Sequence, residues 1–473
     1  MEKFFKLKER KTNVGTEFRA GLTTFFAMVY ILMVNAGMFA DPFGDGTNVL
    51  GVSYGAMYIA TAISAIIGTV LIGLLANLPL AQASGMGLNA FFVYTVCVGM
   101  GFTYANALVF ILIDGLIFIL LTATKLRQKI FEAIPSAVRI AIPAGIGLFI
   151  AFLGLQNAGL VKADPSTGVT LGSFNLLDTT NSGGWAGIMP MVVTIVAFLA
   201  IAIMAKRGVK GAVLWGILGG AALYYLLGLT APGFYENLNI SMDSPFQAFA
   251  DFGTQSFAKV FTEGFDFSNF LATHDVTNLI LVIVTTSLAF LMVDMFDTMG
   301  TLYGACSRGD LLTAEGEVPN VNKAMMADAI ATTTGAVCGT STVTTFVESS
   351  AGVVEGGRTG LSSVFTAIFF CVAMFLSPVA QLIPGCATAA ALIYVGVLMI
   401  NGVKNIFWDN LSSAVPAFLT MTMMPFTYNI SYGIAFGLLS YIVINLFSGK
   451  GKQIRVGTWI ITALFAAMLL LTH

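Results

Sequence analysis

The sequence predicts an all-α integral membrane protein with about fourteen transmembrane segments. Of the 473 residues, 57% are hydrophobic and only 10% are charged, whereas soluble domains have roughly a quarter of charged residues. Uncharged stretches such as 277–293 and 410–449 are long enough for a helix to cross a bilayer. The first partner that the sequence implies is therefore lipid.

Apolar segments recur in two sets of seven. The first set lies near 18–40, 53–75, 80–98, 105–121, 137–157, 186–204 and 211–230, and the second near 277–303, 324–338, 342–355, 361–380, 386–403, 411–425 and 429–447. We therefore expect two seven-span repeats, at 18–230 and 277–447, joined by a loop at 231–276 and flanked by segments 1–17 and 448–473. Within the last segment, Trp459 to Leu471 is marginally long enough to span; an extra span and an interfacial helix both remain open.

The basic residues outside the spans cluster on one side of the membrane if successive spans alternate in direction. They precede the first span and follow the fourth, sixth and fourteenth: Lys3, Lys6, Lys8, Arg10, Lys11, Lys125, Arg127, Lys129, Lys206, Arg207, Lys210, Lys450, Lys452 and Arg455. The 231–276 loop holds six carboxylates and one lysine, Lys259. Because positive loops stay in the cytoplasm, we expect a multi-pass protein of the cell inner membrane with a cytoplasmic N-terminus.

Several functional classes are disfavoured by composition. The net charge is −2, so nothing points to nucleic acid as a partner. The five cysteines are scattered and only two histidines occur, His274 and His473, which disfavours a disulfide framework, a metal centre and a bound cofactor. No nucleophile–base pair or phosphate loop is apparent, so an enzyme is not expected.

The third and tenth spans are interrupted. The third begins with Pro79, Gly85 and Gly87, and the tenth contains the β-branched run 342–345. Such residues favour extended backbone, which membranes tolerate only where it is buried in protein or lines a cavity. Surface hairpins are the alternative. Paired interruptions in two halves of a transporter indicate instead a binding site at the midplane.

The two halves share short motifs. Asn35 precedes Asn89 by as many residues as Asp294 precedes Glu348, and both first members follow a similar apolar run. A third match pairs Ile134-Pro135 and the later Gly147 with Ile383-Pro384 and the later Gly396, after a change in length. Since seven is odd, the second copy must be inverted, an architecture common in alternating access around a fixed site.

Three acids inside spans carry the candidate chemistry. Asp294 and Asp297 share a helical face, and Glu348 follows the β-branched run. An acid at membrane depth is costly unless it faces a wet cavity or a partner; the alternative is a structural carboxylate bonded only to backbone. Crowded carboxyl groups in a dry cavity exchange protons near neutral pH and accept hydrogen bonds from ring N–H groups.

Other charges in spans are expected to be structural. We expect Asp328 to lie near the end of the ninth span as a partner for cytoplasmic basic groups, with a ligand role as the alternative. Glu355 and Arg358, three residues apart, are expected to form an ion pair at the cytoplasmic end of the tenth span. Phe91, Phe92 and Phe346 flank the polar positions, where stacking on a planar base and simple packing are equally compatible with the sequence.

The motifs resemble a known family. GTEFRAGLTTFFAMVYIL, SGMGLNAFFVYTV, FDTMGTL and GTSTVTTFVESSAGVVEGGRTGLSSV are similar to the bacterial and fungal purine permeases, the adenine–guanine–hypoxanthine branch of the nucleobase/ascorbate transporter superfamily. The match covers about residues 10 to 447. It implies a seven-plus-seven inverted fold, with a core (spans 1–4 and 8–11), a gate (spans 5–7 and 12–14), short strands in spans 3 and 10, and often a homodimer.

The resemblance also implies a site. The family's polar positions fall on Asn89, Asp294, Asp297 and Glu348, and we add Thr345, Phe346 and Ser349 beside Glu348 as substrate-binding residues. Coupling to protons is expected at Glu348 and Asp294. The chain departs from the family where Ala36 and Ser84 stand in place of the usual prolines, so the preferred purine stays open.

The function implied is proton-coupled import of a purine nucleobase: adenine, guanine or hypoxanthine. Uptake of xanthine or uracil within the same fold is the first alternative, and it would favour donors over carboxylates. Anion exchange would need cationic sites, and a passive channel would not concentrate its substrate. Accumulation that collapses with a protonophore distinguishes a symporter from a channel.

Overall fold

Helices form most of the chain. The structure, a computed structural model, describes residues 2–44, 46–124, 126, 133–177, 180, 183–236, 244–313 and 317–471. Within these residues, nine helices are long and apolar enough to cross a membrane, and three shorter apolar helices accompany them. The all-α membrane fold that the sequence predicts is therefore confirmed. The basic residues Lys125, Arg127 and Lys129 and the terminal His473 lie outside the described residues.

The first seven spans follow the expected segments. They are span 1 (Val14–Ala40), span 2 (Tyr54–Ala76), span 3 (Met86–Gly99), span 4 (Tyr104–Ala123), span 5 (Ser136–Asn157), span 6 (Gly184–Lys206) and span 7 (Ala212–Gly228). A short helix, Glu2–Phe5, precedes them. Spans 2 and 3 end in π-helical turns, Ile72–Ala76 and Phe91–Gly99.

The second seven spans repeat this layout. They are span 8 (Val276–Arg308), span 9 (Val321–Cys338), span 10 (the turn Val347–Ser349 and helix Ser350–Val354), span 11 (Gly360–Ala380), span 12 (Gly385–Asn405), span 13 (Leu411–Thr427) and span 14 (Ile430–Phe447). A 3₁₀ turn, Gly451–Gln453, leads to a terminal helix, Val456–Leu471.

Polar side chains and glycine mark several helix ends. The Ser53 hydroxyl accepts from the Ala56 N–H before span 2, and Thr103 forms a capping box with Asn106 before span 4. Such caps satisfy N–H groups that the first turn of a helix leaves unpaired. Gly339 ends span 9 with φ 91°, a left-handed conformation that glycine adopts without a steric penalty.

The described residues include four short strands: β1 (Gln82–Ser84), β2 (Val161–Asp164), β3 (Gly168–Leu171) and β4 (Val343–Thr345). Strands β1 and β4 pair antiparallel, with Ala83 opposite Thr344, and every residue of both is buried. The extended backbone expected in spans 3 and 10 is thus confirmed. Each strand supplies the other's backbone partners inside the bundle, and surface hairpins are excluded.

The spans pack as two subdomains. In the core, span 4 packs against spans 8 and 9, while span 11 packs against spans 1 and 2. In the gate, span 5 packs against spans 12 and 13, while span 12 packs against spans 5 and 6. Each contact has its counterpart in the other half of the chain, as an inverted repeat requires.

The crossing of spans 5 and 12 shows the same symmetry at one point. Gly147 and Gly396, matched by the sequence comparison, pack directly against each other: a Cβ on Gly396 would lie 2.5 Å from the Gly147 carbonyl oxygen, and one on Gly147 would lie 2.9 Å from that of Gly396. Both positions need glycine because the two backbones touch. The repeat anchors therefore meet where the two gate helices cross.

The 231–276 segment contains four short helical pieces among its described residues. They are Pro245–Asp251 with its π-helical extension Phe252–Ser256, then Lys259–Thr262 and Ser268–Leu271. The Gln255 side chain accepts from the Ser53 N–H at 2.8 Å, and the Asn106 amide donates to the Gly264 and Asp266 carbonyl groups at 2.8 Å each. The segment is thus attached to spans 2 and 4.

Two further elements flank the gate. Strands β2 and β3 form an exposed hairpin between spans 5 and 6. Its turn is held by Asp164, whose carboxylate accepts from the Ser166 and Thr167 N–H groups. The terminal helix packs against spans 14 and 8, with Phe465 and Met468 buried. The segment left open by the sequence is thus a helix docked on the bundle.

Candidate functional site

A cavity of about 990 Å³ opens between the core and the gate. Spans 8 and 10 form its core wall, and spans 5 and 12 with the turn between spans 6 and 7 form its gate wall. Asp297 and Glu348 both line the core wall, and Tyr394 of span 12 faces them from the gate. Two of the three acids singled out in the sequence therefore share one cavity; we call them the cavity acids.

Both cavity acids accept hydrogen bonds from hydroxyl groups. The Tyr30 hydroxyl of span 1 donates to Glu348 Oε1 at 2.7 Å, and Thr344 Oγ1 donates to Asp297 Oδ2 at 3.3 Å. Glu348 also interacts electrostatically with Asp297 and with the Tyr394 hydroxyl. Each acid is only partly buried. The site thus joins side chains of both repeats and can still present carboxyl oxygens to a ligand.

Asp294 lies one helical turn from Asp297 but away from the cavity. Its side chain is fully buried, and Thr332 Oγ1 of span 9 donates to its Oδ2 at 3.0 Å. The same Thr332 hydroxyl contacts the β4 backbone at Val343: it accepts from the Val343 N–H at 3.3 Å, and its oxygen lies 3.3 Å from the Val343 carbonyl oxygen. Asp294 therefore ties the core helices to β4 and does not line the cavity.

The expectation for Asp328 is wrong. Its carboxylate accepts from Gln82 Nε2 at 2.9 Å and from Thr298 Oγ1 at 2.8 Å, and the side chain is fully buried. Span 9 begins at Val321, so two helical turns separate Asp328 from the end of the helix. These partners are neutral and come from β1 and span 8, so Asp328 anchors strand β1 to the core instead of pairing with surface cations.

The ion pair expected between Glu355 and Arg358 is also replaced. Glu355 pairs with Lys210 at the start of span 7, and Arg358 donates to the Val353 carbonyl oxygen at 2.7 Å. The helix of span 10 ends at Val354, so a spacing of three residues no longer brings the two side chains together. The Lys210–Glu355 pair joins the gate to the core beside the cavity.

Asn89 belongs to a polar network behind strand β1. Its Oδ1 accepts from Ser84 Oγ at 2.7 Å, and Ser84 Oγ lies 2.9 Å from Thr340 Oγ1. Asn35 donates to Thr340 Oγ1 at 3.2 Å and to Thr61 Oγ1 at 2.7 Å. Asn35 and Asn89, which the repeat comparison matched to Asp294 and Glu348, are thus joined through Thr340 and Ser84. Neither amide lines the cavity.

The remaining candidates surround Glu348 without lining the cavity. Thr345 Oγ1 accepts from Gln82 Nε2 at 3.2 Å, and Ser349 Oγ accepts from the Ala81 N–H at 3.0 Å. Phe346 is buried beside them. These contacts hold β1 and the start of span 10 together. Phe91 and Phe92 are fully buried against other aromatic rings, Phe290 for the first and Phe39 and Tyr104 for the second.

Sequence reasoning missed two side chains near these acids. Tyr30, the donor to Glu348, lies in an apolar YILMV run that resembles ordinary lipid-facing sequence. Asp114 of span 4 is fully buried and interacts electrostatically with Asp294. It stands in the run FILIDGLIF, and an acid in such a run is itself the signal that could have found it.

Contacts on the far side of the cavity hold the core against the gate. Thr95 Oγ1 of span 3 donates to the Tyr428 carbonyl at 2.6 Å, and Tyr428 packs edge-on against Phe149 and Phe152 of span 5. The Asn157 amide lies 3.5 Å from the Tyr94 hydroxyl. Aromatic side chains are therefore packed where the core meets the gate on this side.

Comparison with known proteins identifies the family. The model of the family described as Permease family (Xan_ur_permease) matches residues 15–436. The chain belongs to this permease family. The resemblance stated from the sequence motifs is thus confirmed, and so is the interpretation that this permease is not an enzyme.

Two relatives extend the match over nearly the whole permease. The guanine/hypoxanthine permease PbuO of Bacillus subtilis is 39% identical over 463 residues, 95% of this chain and 96% of that protein. The adenine permease AdeP of Escherichia coli is 36% identical over 465 residues, 98% of this chain and 95% of that protein.

Solved structures show the same fold at low identity. The transmembrane domain of a cyanobacterial bicarbonate transporter, BicA, matches with a TM-score of 0.59 at 16% identity, covering 89% of this permease and 97% of that chain. At this identity the likeness concerns the fold alone. It agrees with the core and gate packing described above.

Proposed function

We propose that this permease imports purine nucleobases, namely adenine, guanine or hypoxanthine, together with protons across the cytoplasmic membrane by alternating access. The observation that carries the proposal is the pair of partly exposed cavity acids, Asp297 and Glu348, on one wall of a core–gate cavity of about 990 Å³. Relatives named for guanine/hypoxanthine and adenine transport, matched along almost the whole chain, support the substrate class.

The chemistry of the cavity suits a planar base with N–H groups on its edge. A carboxylate accepts hydrogen bonds and donates none, so Asp297 and Glu348 complement the ring N–H and amino groups of a purine. Tyr394 and Phe296 supply aromatic surface in the same cavity, and aromatic rings favour offset stacking on flat ligands. We propose that Asn89, Asp294, Thr345, Phe346 and Ser349 support this site through strands β1 and β4.

Alternating access is supported by the asymmetry of the structure. The cavity opens beside the basic turn between spans 6 and 7, which the positive-inside rule assigns to the cytoplasm. On the opposite side, aromatic side chains pack around Tyr428 where the core meets the gate. We therefore propose that the N-terminus is cytoplasmic, that this conformation faces inward, and that core movement against the gate exposes the cavity acids outward. The repeat bounds 18–230 and 277–447 and a homodimer are part of the same proposal.

The placement of the cavity acids supports the proposed proton coupling. The hydrogen bonds that Glu348 and Asp297 accept from Tyr30 and Thr344 come from uncharged hydroxyl groups. A carboxyl group that is alternately wet and dry can bind a proton with the base and release it to the cytoplasm. Symport requires this protonation to accompany base binding.

The test is uptake of labelled hypoxanthine in a host that lacks purine transport. We expect adenine or guanine to compete, xanthine and uracil to compete weakly, and a protonophore to collapse the accumulated base. Strong competition by uracil or xanthine would move the permease to the alternative substrate class. Uptake that never exceeds the external concentration would indicate a channel.

A further inference from the structure

Two acids are buried in the core on packed helices, away from the cavity. Asp114 lies at the middle of span 4 and Asp294 near the middle of span 8, and these spans pack together. Both side chains are fully buried, and neither lines the cavity. An acid at this depth needs a partner, because the bilayer interior solvates no charge.

Three of the four carboxyl oxygens of these two acids lack a hydrogen-bond donor among the described residues. Among the described residues, neither oxygen of Asp114 has a hydrogen-bond donor, and Oδ1 of Asp294 has none either. Asp294 Oδ2 is already bonded to Thr332. Spans 4 and 8 pack against each other and the two acids interact electrostatically, so the unpaired oxygens lie in the same part of the core.

Among the described residues, the charges shown to act on this pair belong to other acids. The other charged groups that interact with this pair are Asp297 on span 8 and Asp328 on span 9, both acids. Asp328 has donors at both of its own oxygens, Gln82 and Thr298. Two like charges that interact in a dry interior cannot both persist.

We propose that Asp114 and Asp294 share a single proton, forming a proton-binding site in the core that is separate from the cavity acids. The protonated carboxyl of Asp114 donates its O–H to the ionised carboxyl of Asp294 at Oδ1. One proton then satisfies both acids and leaves the pair with one negative charge instead of two. The site goes beyond the proposed function and does not depend on the identity of the substrate.

Infrared spectroscopy of the purified permease tests the proposal, because a protonated carboxylic acid has a carbonyl band distinct from that of a carboxylate. The variants are Asp114→Asn, Asp294→Asn and the double variant. An asparagine amide can replace the shared O–H as donor, so each single variant keeps one ionised acid and one hydrogen bond. The matched control is Asp164→Asn, at an exposed acid whose pKa is lowered by hydrogen bonds from Thr167 and Ser166.

We expect each single variant to lose one and the same deuterium-sensitive acid band at neutral pH, and the double variant to lose no more than either single variant. The control should lose nothing. Twice the loss in the double variant would mean two independent protons, and an unchanged band in a folded single variant would mean no proton on that acid. Either result overturns the proposal. Either single variant that folds, judged by thermal unfolding, suffices for the test.

Discussion

Tyr30 is the residue on which the orientation of Glu348 depends. Its hydroxyl crosses from the first repeat to the second and donates to Glu348 Oε1 at 2.7 Å. A hydrogen bond to a charged group contributes more than a neutral one, about 1.5–3 kcal/mol. The orientation of Glu348 in the cavity therefore depends on an uncharged hydroxyl group that no sequence motif marks.

Tyr30→Phe should raise the apparent KM for base uptake on the order of tenfold, because Glu348 loses the donor that fixes its carboxylate. Tyr58→Phe is the matched control: this buried hydroxyl donates to the Ala373 carbonyl at 3.0 Å, away from the cavity. Its KM should stay unchanged. Uptake kinetics of both variants at equal surface expression provide the measurement, and equal KM values would remove Tyr30 from the site.

Glu348→Gln separates binding from coupling. The amide keeps the shape of a protonated carboxyl but cannot titrate, so the variant should bind base with an affinity that stays flat between about pH 5 and 8. Uptake into proteoliposomes with an alkaline interior should equilibrate the base without concentrating it. Accumulation that still collapses with a protonophore would assign coupling to Asp297 or Asp294.

Single residues also show what a sequence can and cannot specify. Glu348 and Asp297 are acids in apolar spans. The free-energy cost of an acid at membrane depth is enough by itself to mark them as candidates. Asp114 has the same signature, but its partner lies on span 8, and nothing local connects the two positions. Neutral partners such as Tyr30 and Thr332 have no such signature, because hydroxyl groups are common in membrane helices.

The elements most easily recognised were those defined by local chemistry. The β-branched run 342–345 predicts extended backbone, and β4 forms there. The end of the span 10 helix could not be predicted from the local sequence in the same way. Glu355 and Arg358 have helical spacing, but the helix stops at Val354 and Glu355 bonds to Lys210 of the gate. Local spacing cannot specify a partner in another subdomain.

The segment at 231–276 is more structured than its acidic composition indicates. Asn106 of span 4 holds it by donating to the Gly264 and Asp266 carbonyl groups. Because the composition suggests a dispensable loop, sequence reasoning predicts that trimming alters expression more than KM. The described part of this segment packs against spans 2 and 4, and none of its residues lines the cavity, which agrees with this prediction.

Asn106→Ala should lower stability by about 2 kcal/mol, since two hydrogen bonds to the segment and the Asn106 side chain's half of the capping box are lost together. The KM for base should change by less than about twofold, because the site lies elsewhere. Asn269→Ala, an exposed asparagine of the same segment, is the control and should affect neither. Thermal unfolding in detergent and uptake kinetics measure the two effects. A changed substrate ranking in Asn106→Ala would make this segment an outer gate.

At the scale of the whole molecule, the core and the gate touch at opposite ends of one cavity. Thr95 and Tyr428 join them on the far side of the cavity, and Lys210 and Glu355 join them beside the opening. Rocking of one subdomain against the other must break at least one of these contacts. Lys210 and Glu355 are on different subdomains, so their separation reports directly on that movement.

A short bifunctional thiol crosslinker between Lys210→Cys and Glu355→Cys should abolish uptake, because it fixes the core to the gate in the conformation seen here. Cys371, the exposed cysteine among the five free thiols, is first replaced by serine. The matched control is Lys259→Cys with Glu263→Cys, another Lys–Glu ion pair whose members lie four residues apart in the 231–276 segment. Crosslinking there should leave uptake unchanged.

The crosslinked permease should still bind base from the cytoplasmic side, since the cavity stays open and the cavity acids are untouched. Binding to inside-out vesicles should therefore survive while uptake is lost, and a cleavable crosslinker should restore uptake after reduction. Full uptake by the crosslinked form would show that spans 7 and 10 move together. Alternating access would then require movement within the core, around β1 and β4, instead of movement of the core against the gate.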